Sequence, residues 1–424
     1  MFFFKKKPPP KVLVVGLDGV PHSFITREIG KGCLPNLARI FKTGSLRRMN
    51  TVIPPISSVA WTSFATGVNP ARHRIFGFMD RRTAPMEIFI PTASRRAAPT
   101  LWRTLSENGK KVGVINVPVT YPPEPVNGFL VSGFLATDIM KATHPPELAH
   151  ELKKMDYLID VDTWKVREDR SAFLDDVFES LKIRLRVTIH LMKTRPWDFF
   201  ISHVMETDRV SHFYWSLMEE NDPEYGERTR KFFGAVDAFA GEVFDQAPPG
   251  TLFITLSDHG FCSVKREVNV NSYLMDAGLL KMKSDDAKAI TDILPESTCY
   301  SLLPGRFFLN LKGREAMGSV ESGPPAENAK NTVIDLCRNM RDPDSGEQII
   351  KEIYKREDIY HGPYLDEAAD ILTIPRNGYD LKANFQKKPL TSKDALHGMH
   401  TQDDAFLFVA QKEIGAVTPN IVDL

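Results

Sequence analysis

The chain has 424 residues, enough for one large α/β domain with insertions or for two domains. Hydrophobic residues make up 42% and charged residues 25%, a globular balance. The equal totals of 54 basic and 54 acidic residues argue against a general affinity for nucleic acid, and no run reaches the roughly 18 apolar residues of a membrane-spanning helix.

In chain order, the opening MFFFKKKPPP places aromatics before lysines, the reverse of a secretory signal. The four cysteines, Cys33, Cys262, Cys299 and Cys337, are widely spaced and form no CxxC motif, which predicts reduced thiols and a cytoplasmic protein. Residues 11–17 (KVLVVGL) read as a strand buried on both faces, running into Asp18-Gly19. In VIPPISSVAWTSFATGVNPARHRIFGF, Pro54-Pro55 breaks the chain and Ser57 precedes a short helical run. A helical LWRTLSENGKK leads to a strand at 112–117, and NVPVTYPPEPVNG reads as a long ordered loop. Amphipathic helices follow at 170–193 and 225–245, with strands at 198–205 (DFFISHVM) and 251–256 (TLFITL). The segment 262–395 is less regular, an insertion or cap rather than an independent domain. HGMHTQDDAFLFVA then leads into a last apolar strand. The alternation predicts one α/β domain: a mostly parallel central sheet sandwiched by helices, with its core in 11–261 and 396–424 and a cap in 262–395.

Ligands of open α/β sheets gather beyond the carboxyl ends of strands. Asp18, Asp208, His212, Asp258 and His259 fall there, and His400 lies in the segment just before the last apolar strand, so four strands or flanking loops deliver Asp and His to one rim. Singly, each has an ordinary explanation: a turn or helix cap at Asp18-Gly19, a turn at Asp258-His259-Gly260, a solvated helical pair in Asp208 and His212. Together, three Asp and three His point to divalent metal, zinc before manganese. The absence of cysteine ligands points to a catalytic site. Two such ions clamp the attacking and leaving oxygens of an in-line displacement. Ser57 stands where a helix N-terminus favours phosphate, although Ser57 or Ser58 could equally be an N-cap. His203, inside a strand, reads as a core histidine, and His397 as a surface residue or a support for His400.

The ordered set Asp-Gly, PP-x-S-x-x-A-W-T-S-F-x-TG-x-x-P-x-x-H, D-x-x-x-H, S-D-H-G and G-x-H resembles the alkaline phosphatase superfamily. It is most similar to the type I phosphodiesterase/nucleotide pyrophosphatase branch and its phosphohydrolase/phosphomutase relatives, over nearly the whole chain. The resemblance implies that Ser57 is the nucleophile of a phosphoserine intermediate. Asp208, His212 and His400 would hold one metal, and Asp18, Asp258 and His259 the other. The substrate would be a small phosphate ester, with Ser58, Arg74 and Asn116 as candidate contacts.

The sequence departs from that pattern in three places. His73-Arg74-Ile75 replaces the usual H-G-I, the asparagine expected shortly afterwards gives way to Gly77 and Phe78, and relatives continue past NIVDL into a further helix. The C/S-x-P-x-R motif of sulfatases is absent. Arg74, Arg81, Arg82 and Arg209 are candidate clamps for a monoester dianion, but spacing fixes none of them to Ser57. The expectation is therefore diester or pyrophosphate hydrolysis, with monoesterase or mutase activity as alternatives. A non-catalytic binding protein is disfavoured because all six ligands and the serine are present.

Overall fold

The computed structural model describes residues 10–284, 286–415 and 417–424. Residues 1–9, on which the expectation about a secretory signal rests, lie outside the described residues. Eight strands form the central sheet: β1 (Val12–Leu17), β2 (Gly44–Met49), β3 (Val112–Ile115), β4 (Gly128–Val131), β5 (Thr143–His144), β6 (Phe199–Val204), β7 (Leu252–Leu256) and β8 (Ala405–Ala410). Their order is β2-β8-β7-β1-β6-β3-β4-β5. The five from β7 to β4 are parallel, and β8 and β5 run antiparallel to their neighbours.

β1 shows why its sequence is apolar throughout. Leu13, Val15 and Leu17 face a cluster that includes Phe173, Phe200 and Phe232, while Val14 faces another with Trp61 and Trp102. A strand covered on both faces has no position left for a polar residue. The helices Arg170–Thr194, Glu206–Glu219 and Gly226–Gln246 supply the first cover. The helix Ser57–Thr66 contributes to the second.

The expected strand at 112–117 stops at Ile115, because Asn116 has φ 64° and Val119 φ 58°, conformations that cannot continue a strand. The loop that follows extends to β4. The segment read as irregular holds a four-stranded antiparallel sheet, in the order Cys299–Leu302, Arg306–Leu309, Ile371–Pro375, Ile350–Lys355. With the helix Pro324–Arg338 it encloses a separate apolar cluster, joined by Ala71, Phe76 and Met86 from the N-terminal part of the chain. The chain leaves for this segment along Gly260–Ser263 and returns along Gly398–Thr401, which pair antiparallel with Phe261 opposite His400. No helix among the described residues is long and apolar enough to cross a membrane.

Candidate active site

Strand register brings the acidic residues level. Gly16 of β1 pairs with both His203 of β6 and Leu256 of β7, so Asp18 and Asp258, each two residues further on, emerge side by side. Gly19 has φ +69°, and a Cβ there would meet the Phe261 ring at 2.5 Å and His259 at 3.1 Å. Glycine is therefore required for the turn to pass beneath His259, and its N–H donates to Asp258 Oδ1 at 3.1 Å. Asp208 and His212 share one face of the helix Glu206–Glu219, one turn apart. His400 arrives on the returning strand, beside His259's own neighbour Phe261.

Ser57 is the first residue of its helix, and the N-cap is Ile56, with no side-chain cap. The Ser57 hydroxyl is thus free of the capping role. Its Oγ donates to Asp18 Oδ1 at 3.0 Å and lies 3.2 Å from His259 Nε2.

The three histidines share one arrangement. Each Nδ1 faces a backbone carbonyl: His259 that of Gly260 at 3.0 Å, His212 that of Gly398 at 3.2 Å, and His400 that of Pro55 at 2.8 Å. A proton on Nδ1 donated to a carbonyl leaves Nε2 as a lone pair, the tautomer of a metal-ligating imidazole. His400 Nε2 lies 3.0 Å from His212 Nε2 and 3.2 Å from Asp208 Oδ1, and His212 Nε2 is 3.4 Å from the same carboxylate oxygen. Asp208, His259 and His400 offer ligand atoms all within 4.8 Å of one another, as do Asp18, Asp258 and His259. His259 therefore belongs to both groups, whereas the motif assigns it to one.

These residues fit divalent metal on their own chemistry. Three carboxylates converge in the interior, with Asp18 and Asp258 fully buried and Asp208 3% exposed. Burial and the charge of Asp18 push Asp258 well above the ordinary carboxylate range, and its Oδ2 is buried without a hydrogen-bond partner among the described residues. Burial also works against the charge of Asp18 and Asp208, but hydrogen bonds from His203 to Asp18 and from His400 to Asp208, with Arg209 beside Asp208, hold both below the usual range. Burial, reinforced by His400, takes His259 down to about 3; burial takes His212 to about 4 despite Asp208. Both rings are neutral near pH 7, the form that binds metal. Burial opposes charge on His400 too, yet its hydrogen bond to Asp208 leaves it raised.

The site opens into a cavity of about 290 Å³. Ser57, Ser58, Asp208, His212 and His400 form its rim, and Leu303, Ile374 and Leu381 of the inserted segment roof it. Phe78 and Phe134, stacked at 5.4 Å between ring centroids, form one wall. Arg209 also lines the cavity, but its guanidinium is taken by Asp160 at 2.6 and 3.1 Å and by Asp208 at 3.1 Å. Lys382 is similarly held by Asp380 at 2.5 Å and Glu267 at 3.5 Å.

The structure brings Ser57 and all six metal-ligand candidates together and sets Ser58 on the cavity wall, its hydroxyl buried and without a partner among the described residues. Arg74 and Asn116 lie apart from this group. Arg74, in a left-handed conformation at φ 68°, lines a different cavity from Ser57. It forks onto Glu367 at 2.6–3.0 Å and stacks on Tyr364. The buried Asn116 amide, turned so that its N and O each meet a suitable partner, donates to the Ile159 carbonyl oxygen at 3.0 Å and accepts from Arg184 Nη2 at 3.1 Å. Neither lines the catalytic cavity.

Sequence reasoning passes over His203 and Trp61. Both are fully buried, and both contact Asp18 Oδ2, His203 Nε2 at 2.8 Å and Trp61 Nε1 at 2.9 Å. A histidine one residue from a strand end that leads to ligands was the available signal. His397 lies to the side, its Nδ1 2.8 Å from Ser216 Oγ and its Nε2 3.1 Å from Arg170.

A mostly parallel sheet carrying buried carboxylates and imidazoles at its strand ends defines an alkaline phosphatase-like protein. The chain belongs to the type I phosphodiesterase/nucleotide pyrophosphatase family, which matches residues 12–403, and it is a phosphoric ester hydrolase. The fold is similar to phosphonoacetate hydrolase from Sinorhizobium meliloti 1021 in complex with phosphonoacetate, at 16% identity, 98% of this chain, 94% of that chain and TM-score 0.68. It is also similar to murine ectonucleotide pyrophosphatase/phosphodiesterase 5 in complex with AMP, at 16% identity, 98% and 92% coverage and TM-score 0.58. Human ectonucleotide pyrophosphatase/phosphodiesterase 5 matches at 15% identity, 97% and 92% coverage and TM-score 0.57.

Proposed function

We propose that this chain hydrolyses phosphodiester or pyrophosphate bonds of small phosphorylated substrates through a phosphoserine at Ser57. Two divalent ions, zinc by the nature of the donors, would be held by Asp208, His212 and His400 and by Asp18, Asp258 and His259. The carrying observation is the position of Ser57 Oγ, 3.0 Å from Asp18 Oδ1 and 3.2 Å from His259 Nε2, at the mouth of a cavity otherwise lined largely by apolar side chains. The ions, when bound, supply positive charge that lowers the barrier to ionising the serine and offsets charge at phosphorus.

The chain's own residues do the rest. Asp18 and His259 orient Ser57 Oγ, which gives up its proton to solvent and attacks phosphorus as the bond to the leaving oxygen breaks, and that oxygen takes a proton from water as it departs. The first N–H groups of the Ser57–Thr66 helix have no partner within it and favour a phosphate oxygen there. Water then takes the phosphoryl group from Ser57. The Phe78–Phe134 pair and the roof of Leu303, Ile374 and Leu381 offer an apolar surface to the leaving group and limit access of water.

A diester suits the site better than a monoester, because the cavity cations Arg209 and Lys382 are already paired to carboxylates. A dianion would need an uncommitted one. The AMP and phosphonoacetate bound to the similar structures support a small substrate bearing a phosphate or phosphonate group. Free thiols at Cys33, Cys262, Cys299 and Cys337 support a cytoplasmic setting.

The test compares kcat/KM for bis(p-nitrophenyl) phosphate and p-nitrophenyl phosphate with metal-loaded enzyme, alongside metal analysis. We expect about two divalent ions per chain and preference for the diester. A preference for the monoester would favour a phosphatase or mutase and overturn the diesterase assignment.

A further inference from the structure

The arginines that the sequence offers as phosphate clamps are gathered, except for Arg209, in a second cavity apart from Ser57. Arg74, Arg81, Arg82, Arg95 and Arg314 line a space of about 300 Å³ with two carboxylates, Asp366 and Glu367, in its wall. Four of these arginines come from the stretch after the nucleophile helix, while Arg314 and both acids come from the inserted segment. The cavity therefore lies on the seam between the two parts of the molecule, and its volume is at the lower end of small-molecule sites.

Glu367 is where the pairing runs short. Its carboxylate accepts from Arg74 Nε at 2.9 and 3.0 Å, from Arg74 Nη2 at 2.6 Å and from Arg95 Nη2 at 2.6 Å, so two guanidinium groups share one negative charge. Arg81 and Arg314 likewise share Glu315, at 2.8 and 3.0 Å, and Arg314 also reaches Asp370 at 2.6 Å. Arg81 Nε and Arg95 Nε remain buried without a partner among the described residues, and the Arg81 side chain is only 4% exposed. A guanidinium can only donate, in a planar fork that matches the oxygens of phosphate. Converging forks with more donors than acceptors make an anion receptor.

We infer that this cavity is a second binding site, distinct from the catalytic centre, for a small anion bearing phosphate. Arg74, Arg81 and Arg95 hold it in competition with the Glu367 carboxylate. The site would join the inserted segment to the body of the protein whenever the anion is bound. It stands on the arginine geometry alone and is independent of which ester the enzyme cleaves.

The experiment is calorimetric titration of the metal-loaded enzyme with inorganic phosphate, and in parallel with AMP, at low ionic strength. The two probes separate free phosphate from phosphate carried on an organic group, and binding of either at this cavity supports the site. Arg95→Gln should weaken that binding by about tenfold or more, the scale of one lost charge-assisted hydrogen bond. Glu367→Gln should tighten it severalfold by releasing Arg74 and Arg95. The opposite signs keep the test decisive if one variant folds poorly. Phosphate binding that responds to neither substitution, or no binding beyond that abolished by Ser57-site metal removal, would overturn the inference.

Discussion

Replacing His203 by leucine removes one of the two N–H donors that fix Asp18. His203 Nε2 and Trp61 Nε1 both meet Oδ2, at 2.8 and 2.9 Å, and their rings cross edge to face at 4.7 Å. With Oδ2 doubly held, Oδ1 is left to face Ser57 at 3.0 Å, the orientation that the proposed metal role of Asp18 requires. A hydrogen bond to a charged group contributes about 1.5–3 kcal/mol, or roughly 10- to 150-fold in an equilibrium constant. Loss of an outer partner of a metal ligand typically lowers metal affinity or activity by about 10- to 100-fold. His203→Leu should therefore lower metal affinity and kcat/KM within that range, measured by titrating activity in metal buffers, with thermal melts of the chelated protein as a folding control. His203→Gln, which restores a donor near Nε2, should recover most of the loss. Wild-type metal affinity and turnover in His203→Leu, or equal damage in His203→Gln, would refute the reasoning.

Ser57→Ala should lose several orders of magnitude in rate, because the nucleophile disappears, while Ser58→Ala should cost little, since its buried hydroxyl has no partner to lose; steady-state kinetics of both variants decide, and greater damage in Ser58→Ala would reverse the assignment. Burial, aided by Arg96, holds His73 down to about 3, against an ordinary 6.5, so the unfolded chain takes up a proton that the folded chain refuses between those values. Stability is then complete above pH 6.5 and falls as pH drops toward 3. His73→Gln should flatten that dependence by up to about 1.4 kcal/mol per pH unit, read from urea unfolding across the acidic range.

The catalytic strands were legible because burial on both faces leaves only apolar side chains, so the polar residues that end them stand out. KVLVVGL before Asp18 and TLFITL before Asp258 are of this kind, and the structure places both acids level. The short strands of the inserted segment carry no such signal: Cys299–Leu302 (CYSL) and Arg306–Leu309 (RFFL) mix polar and apolar residues and end in no run of metal-competent side chains. The place of Arg74 was hidden for a different reason. It is close to Ser57 along the chain, but its partner Glu367 lies 293 residues away, and only tertiary structure reveals the competition. Asn116 likewise answers to Ile159 and Arg184, which sequence proximity does not indicate. His203 was hidden by the inference that serves well elsewhere, namely that a histidine inside a buried strand is structural.

The pairing of Gly260–Ser263 with Gly398–Thr401 has an evolutionary consequence. The excursion between these strands begins and ends at one doorway, and that doorway is framed by His259 and His400. Whatever lies beyond it can lengthen, shrink or be exchanged for another module while the two frames stay bolted together. Because the two flanking strands are held by their own pairing, a change in length beyond them leaves the flanking backbone in place. Selection can then retailor the roof of the cavity for new esters without disturbing the reaction beneath it, which is how one chemistry comes to serve many substrates on a common scaffold.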